Sequence, residues 1–243
     1  MSRRPRRTGK PSRPLRVLRC DNHLLAVSKP AGIPTVPDAS GDESLLDLAK
    51  DWVRREFGKP GAVFLGVVLF ARTSKAAARL ASAFRERSAR KVYLGVGEGS
   101  PAEDAGVVEQ RLEKDPRANR VRARAAGAGP DPDARKARVA VTRWRVLARG
   151  GGRTLYEFLP ETGRPHQIRA CATALGTPLL GDLKYGAREP LPDRSIALHA
   201  SELEIEHPTR EERVRLVDPP PSRPPWNVVT RGGKGAPGGV RRE

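Results

Sequence analysis

Thr162-Gly163-Arg164-Pro165-His166-Gln167-Ile168-Arg169 follows closely on the apolar run Leu155-Tyr156-Glu157-Phe158-Leu159. The run is short and hydrophobic, as a buried strand is. The eight residues after it hold a glycine turn, two arginines, a histidine and a glutamine. Together they predict a strand that delivers polar groups to one place. A helix then runs from Arg169 to Leu175 and stops at Gly176.

Working outward, strands and helices mix without a regular βαβ alternation. Leu15–Leu18 and Leu24–Ser28 read as short strands about an Asp21-Asn22 turn, and Pro30, Gly32 and Pro34 force a loop. Ser44 to Phe57 reads as a helix capped by Ser44, with Leu45, Leu48, Trp52 and Val53 on one face. Ser74 to Glu86 reads as a second, with Ser74 as its cap. Lys91–Val96 and Val139–Leu147 read as strands, and the chain between them as a loop. Within it, residues 113–138 carry eight basic and four acidic side chains, which suits an RNA-facing flap or an insertion. The expected fold class is α+β, with a mixed, mainly antiparallel sheet and flanking helices.

Residues 1–14 read as a disordered basic arm and residues 219–243 as a disordered Pro/Gly-rich tail, leaving one domain over 15–218. Net charge is +18 over 243 residues, and the body still carries +8 without these ends. Each Lys or Arg that neutralises a phosphate releases condensed counterions, so a polyanion such as RNA suits this chain. Arginine far outnumbers lysine, 36 to 10, as a coding sequence rich in G and C also favours. Cys20 and Cys171 form no C-x-x-C pair, so no metal site is expected, and two isolated thiols suit a reducing cytoplasm. The basic N-terminus lacks the apolar core of a secretory signal, and no apolar run reaches the ~20 residues that span a bilayer. A monomer is the simplest expectation.

Four segments occur in a telling order: Lys29-Pro30-Ala31-Gly32-Ile33-Pro34, then Arg90-Lys91-Val92-Tyr93-Leu94, then Gly163–Arg169. Last comes Gly181-Asp182-Leu183-Lys184-Tyr185-Gly186, with Leu198-His199-Ala200 after it. In that order, across residues 15 to about 217, the chain resembles the RNA pseudouridine synthases of the RluA type. The resemblance implies a long sheet crossed by an RNA-binding cleft, and cofactor-free conversion of uridine to pseudouridine. In that family an aspartate in a His-Arg-Leu-Asp motif attacks the nucleotide. The base has left its stack; the uracil detaches, rotates and rejoins through carbon.

That aspartate has no counterpart here. The family places it shortly before an apolar strand ending in Ala-Lys/Arg-Thr, and the strand end is present as Leu69-Phe70-Ala71-Arg72-Thr73. Gly58-Lys59-Pro60-Gly61-Ala62-Val63-Phe64-Leu65-Gly66-Val67-Val68 precedes it, without Asp, Glu or His. An ungapped match puts Gly61 at the nucleophile's position. A gapped match, which suits the apolar run Val63–Phe70 better, splices two strands at Val68-Leu69 and omits the loop between them. No catalytic residue is therefore assigned.

The resemblance implies that Tyr93 stacks on the target base, where one stacked base contributes ~1–3 kcal/mol. It also implies that Arg169 pairs with the family aspartate. Lacking that partner, Arg169 is expected to face solvent or a substitute anion such as phosphate. Arg164, His166 and Gln167 are expected to donate to phosphate or to a flipped nucleotide, and Lys29 to touch phosphate. Asp182 reads as a turn residue and His199 as a core residue. Two functions follow: a synthase-family protein whose isomerase activity is lost or severely impaired, by divergence or by loss of a segment, or a non-catalytic RNA-binding protein, for example in ribosome assembly.

Overall fold

Apolar alternation and turn chemistry account for the small N-terminal sheet. The computed structural model describes residues 15–30, 33–35, 37, 43–57, 68–115, 120–125, 137–192, 195–222 and 224–227. They fall into two compact units, Met1–Ala78 and Arg79–Glu243. The basic arm 1–14, the segment 58–67 that contains Gly61, and residues 228–243 of the expected tail lie outside the described residues.

In the first unit, β1 (Arg16–Cys20), β2 (Leu24–Ser28) and β3 (Val68–Ala71) form an antiparallel sheet in the order β1-β2-β3. The Asp21 carboxylate accepts the backbone N–H groups of His23 and Leu24 and so tightens the β1–β2 turn. Helix α1 (Leu45–Phe57) begins at a reciprocal cap. The Asp47 N–H donates to Ser44 Oγ, and Ser44 donates from both N–H and Oγ to the Asp47 carboxylate. Leu45, Leu46 and Ala49 of α1 pack with Leu25, Val27 and Phe70. Helix α2 (Ser74–Arg85) starts as expected, but its cap is Thr73: Thr73 Oγ1 accepts the Ala76 N–H, and Ser74 is already helical.

The second unit is built on seven strands: β4 (Arg90–Glu98), β5 (Ala105–Asp115), β6 (Arg120–Ala125), β7 (Arg138–Gly150), β8 (Arg153–Pro160), β9 (Leu198–Glu206) and β10 (Arg213–Val217). Their order is β10-β9-β4-β8-β7-β5-β6, and every pairing between the described strands is antiparallel. The α+β class holds. Residues 105–115 and 120–125, expected as loop, are instead strands of this sheet. Helix α3 (Gln167–Ala174) packs over β5, β7 and β8, and Gly176 leaves it with φ 71°. Trp144, Tyr156 and Phe158 from the sheet meet Ile168, Cys171 and Ala172 from α3 in the main core, with Leu179 between them. Pro225 is buried, and Trp226 packs beside Val96 and Ala197.

β4 carries glycines where other backbone comes close. A Cβ on Gly97 would stand 2.7 Å from the Thr177 carbonyl oxygen, and Gly97 bridges to Leu179. Gly97→Ala is expected to destabilise by about 1–3 kcal/mol through overpacking. A urea midpoint that matches the parent's would show that the 177–179 segment yields freely.

Candidate functional site

The loop after β8 is held by one buried amide. Gln167 Oε1 accepts from Thr162 Oγ1 (2.7 Å) and from the Arg164 N–H (3.0 Å). Its Nε2 donates to the Val141 carbonyl and to Thr142 Oγ1, both at 2.9 Å. Gln167 is 4% exposed. Its donors and acceptor are directed inward and hold the loop. Arg164 is half-buried, and its Nε donates to the Val139 carbonyl at 3.1 Å.

Arg169 departs furthest from the sequence reading. Its Nε and Nη2 donate to the two oxygens of Asp182 at 2.7 and 2.6 Å. Asp182 is 1% exposed and Arg169 14%. Arg169 therefore turns to a protein carboxylate, not to solvent or a substitute anion. A buried cation without an anion is costly, and Asp182 removes that cost. Nor is Asp182 a turn residue by its side chain, which makes no cap hydrogen bond.

Tyr185 completes the network. The Arg169 guanidinium lies over its ring, 4.4 Å from the centroid. The Tyr185 hydroxyl accepts the Val121 N–H of β6 at 2.9 Å and stands 3.0 Å from His166 Nδ1. The Tyr185 carbonyl accepts from Thr173 Oγ1 of α3 at 2.9 Å. His166 sits at the head of α3 in the left-handed region, φ 55°, with its ring edge-on to Tyr185. The Gly181–Gly186 segment thus buckles α3 to the β6 edge. Gly181 has φ 80°, and a Cβ there would collide with the Ser195 carbonyl oxygen. The sequence displays both halves of this buckle as motifs but does not reveal that they hold each other.

Tyr93, on β4, pairs across to Phe158 and packs against the cluster that contains Ile168. Tyr93 and α3 therefore share one face of the sheet. Arg169, next to Ile168 on the helix, turns about 100° away, toward Asp182. Burial raises the Tyr93 phenol above its usual range. Burial also pushes the Cys171 thiol up to about 12, which keeps it protonated and unreactive. Lys29 belongs to the first unit; it is half-buried, its Nζ donates to the Pro30 carbonyl at 3.3 Å, and burial lowers its pKa. His199 is half-buried, with Nε2 2.8 Å from the Asp218 carbonyl oxygen and its ring edge-on to Trp226. Among the described residues no group of His, Cys, Asp and Glu is arranged to hold a metal ion, and no helix is long and apolar enough to cross a membrane.

Comparison with known proteins gives a consistent result. Residues 65–174 match the family model described as RNA pseudouridylate synthase. An uncharacterised RNA pseudouridine synthase of Zymomonas mobilis is 34% identical over 200 residues, covering 78% of this chain and 87% of that protein. The ribosomal large subunit pseudouridine synthase C of Rickettsia prowazekii is 29% identical over 208 residues, covering 81% of this chain but 65% of its own length. Among solved structures, human RNA pseudouridylate synthase domain containing 1 superposes with a TM-score of 0.67 at 25% identity, covering 89% of this chain and 88% of that one.

Proposed function

The chain belongs to the RNA pseudouridine synthase family, and from that premise we propose that it binds structured RNA but has lost, or nearly lost, uridine isomerisation. One observation carries this reading: Gly58 to Val68, ahead of the Leu69–Thr73 strand end, holds no Asp, Glu or His. Covalent catalysis by a carboxylate does not proceed without the carboxylate. Asp182 is a poor surrogate, because both its oxygens are bound to Arg169 and it is closed to solvent.

The rest of the family's equipment supports RNA binding. Tyr93 offers a stacking surface, while Arg164 and, in the first unit, Lys29 supply cations for phosphate. The basic body adds an electrostatic term. Ribosomal RNA, named for the Rickettsia relative, is the first substrate to try. Two measurements test the reading. Release of tritium from RNA labelled at uridine carbon 5 is expected to stay at background. Binding to the same RNA is expected to weaken steeply with added salt. Appreciable release would overturn the catalytic half, and a flat salt response the RNA-binding half.

A further inference from the structure

Lys91 and Tyr93 stand two residues apart on β4, so their side chains leave the same face of the sheet, with about 7 Å of strand between them. Neither polar end has a firm partner among the described residues. The Lys91 ammonium has one hydrogen-bond contact, to the Thr162 carbonyl at 3.5 Å, the outer limit of such a bond, and forms no ion pair; the Tyr93 hydroxyl has none. Arg90, Arg143, Arg145, Arg149, Arg213 and Arg215 each meet a carboxylate. Lys91 is half-buried, and burial lowers its pKa. A partly desolvated cation without a counter-charge is unfavourable and calls for an anion.

Among the described residues, a Cβ built on Gly163, the glycine of the loop above, would meet nothing within 4 Å except the Lys91 ammonium at 3.9 Å, so the space beside Lys91 is open to them. An anionic oxygen can therefore approach between the loop and the strand. We propose that Lys91 binds a phosphodiester oxygen of the RNA nucleotide whose base rests against Tyr93. The strand spacing sets the two side chains about 7 Å apart at their base, within the span that one nucleotide covers. This inference rests on the RNA-binding reading above. It adds a residue that the sequence reading left without a role.

The test uses the full chain, its Lys91→Met and Lys91→Arg variants, and a transcribed ribosomal RNA stem-loop, titrated between about 50 and 200 mM salt. Lys91→Met is expected to bind about three- to tenfold more weakly, with the slope of log affinity against log salt reduced by about 0.7–0.9. Lys91→Arg is expected to restore both. Raising pH is expected to weaken the parent below the usual lysine range, because the native ammonium loses its proton early; Lys91→Arg keeps its charge and is spared this loss. Bound RNA is also expected to shield Lys91 of the unaltered chain from reductive methylation, read by peptide mass, which requires no variant to fold. If the parent binds with a steep salt slope while Lys91→Met matches it in affinity and slope, or Lys91 is methylated equally with RNA bound, the Lys91 inference is overturned alone. A parent that does not bind RNA overturns both readings.

Discussion

Asp182→Ala is expected to cost the second unit about 3–5 kcal/mol, the usual penalty for leaving one member of a buried ion pair. The geometry places this pair at the strong end. Both carboxylate oxygens meet both facing nitrogens of one guanidinium at 2.6–2.7 Å, with Asp182 at 1% exposure. Without Asp182, Arg169 keeps, among the described residues, the face of Tyr185, which compensates part of a full charge. The damage should spread, because Tyr185 also holds the Val121 N–H of β6 and lies against His166. Urea unfolding followed by circular dichroism measures the loss. Exchanging both partners for apolar residues, Arg169→Met with Asp182→Leu, is expected to recover most of it, since no lone charge remains. A single Asp182→Ala variant within about 0.5 kcal/mol of the parent would place this pair with ordinary surface contacts.

Restoring the missing carboxylate should have the largest effect of all. A loop of about ten residues carrying His-Arg-Leu-Asp, taken from an intact relative and inserted between Val68 and Leu69, is expected to raise tritium release at least 10⁴-fold over the unaltered chain. Removal of an enzyme nucleophile costs about 10⁴–10⁶ in rate elsewhere, or roughly 5–8 kcal/mol of transition-state stabilisation. The loop-restored version is also expected to unfold at higher urea, because a restored hairpin gives neighbouring ladder groups their partners. Two results count against this account: release by the unaltered chain at a comparable rate, or a restored version that binds RNA as tightly yet stays inert. Equal urea midpoints would reject the stability part.

The strand–turn–helix around Thr162–Arg169, the small N-terminal sheet and both amphipathic helices were legible because each rests on local rules. Alternation or helical spacing marks the buried face, and Asp21, Ser44 and Gly176 mark the ends. β5 and β6 were not legible. Arg120-Val121-Arg122-Ala123-Arg124 does alternate, but its charge drew attention to solvent, and only pairing with β5 makes it a strand. The cap of α2 moved by one residue, within the ordinary uncertainty of a helix end.

The motif residues show the same division. Their identity and order, and the absence of a carboxylate between Gly58 and Val68, are properties of the chain that no folding alters. What each side chain touches is decided by packing. α3 turns Ile168 to the core and Arg169 to a carboxylate thirteen residues away, and the loop after β8 folds Gln167 inward. Sequence therefore determined the family, the strand-and-helix ingredients and the absence of a carboxylate from Gly58 to Val68. Tertiary structure alone decided that Asp182 neutralises Arg169 and that Lys91 lacks such a partner among the described residues, because counter-charges are assigned by proximity in space, which spacing along a chain does not encode.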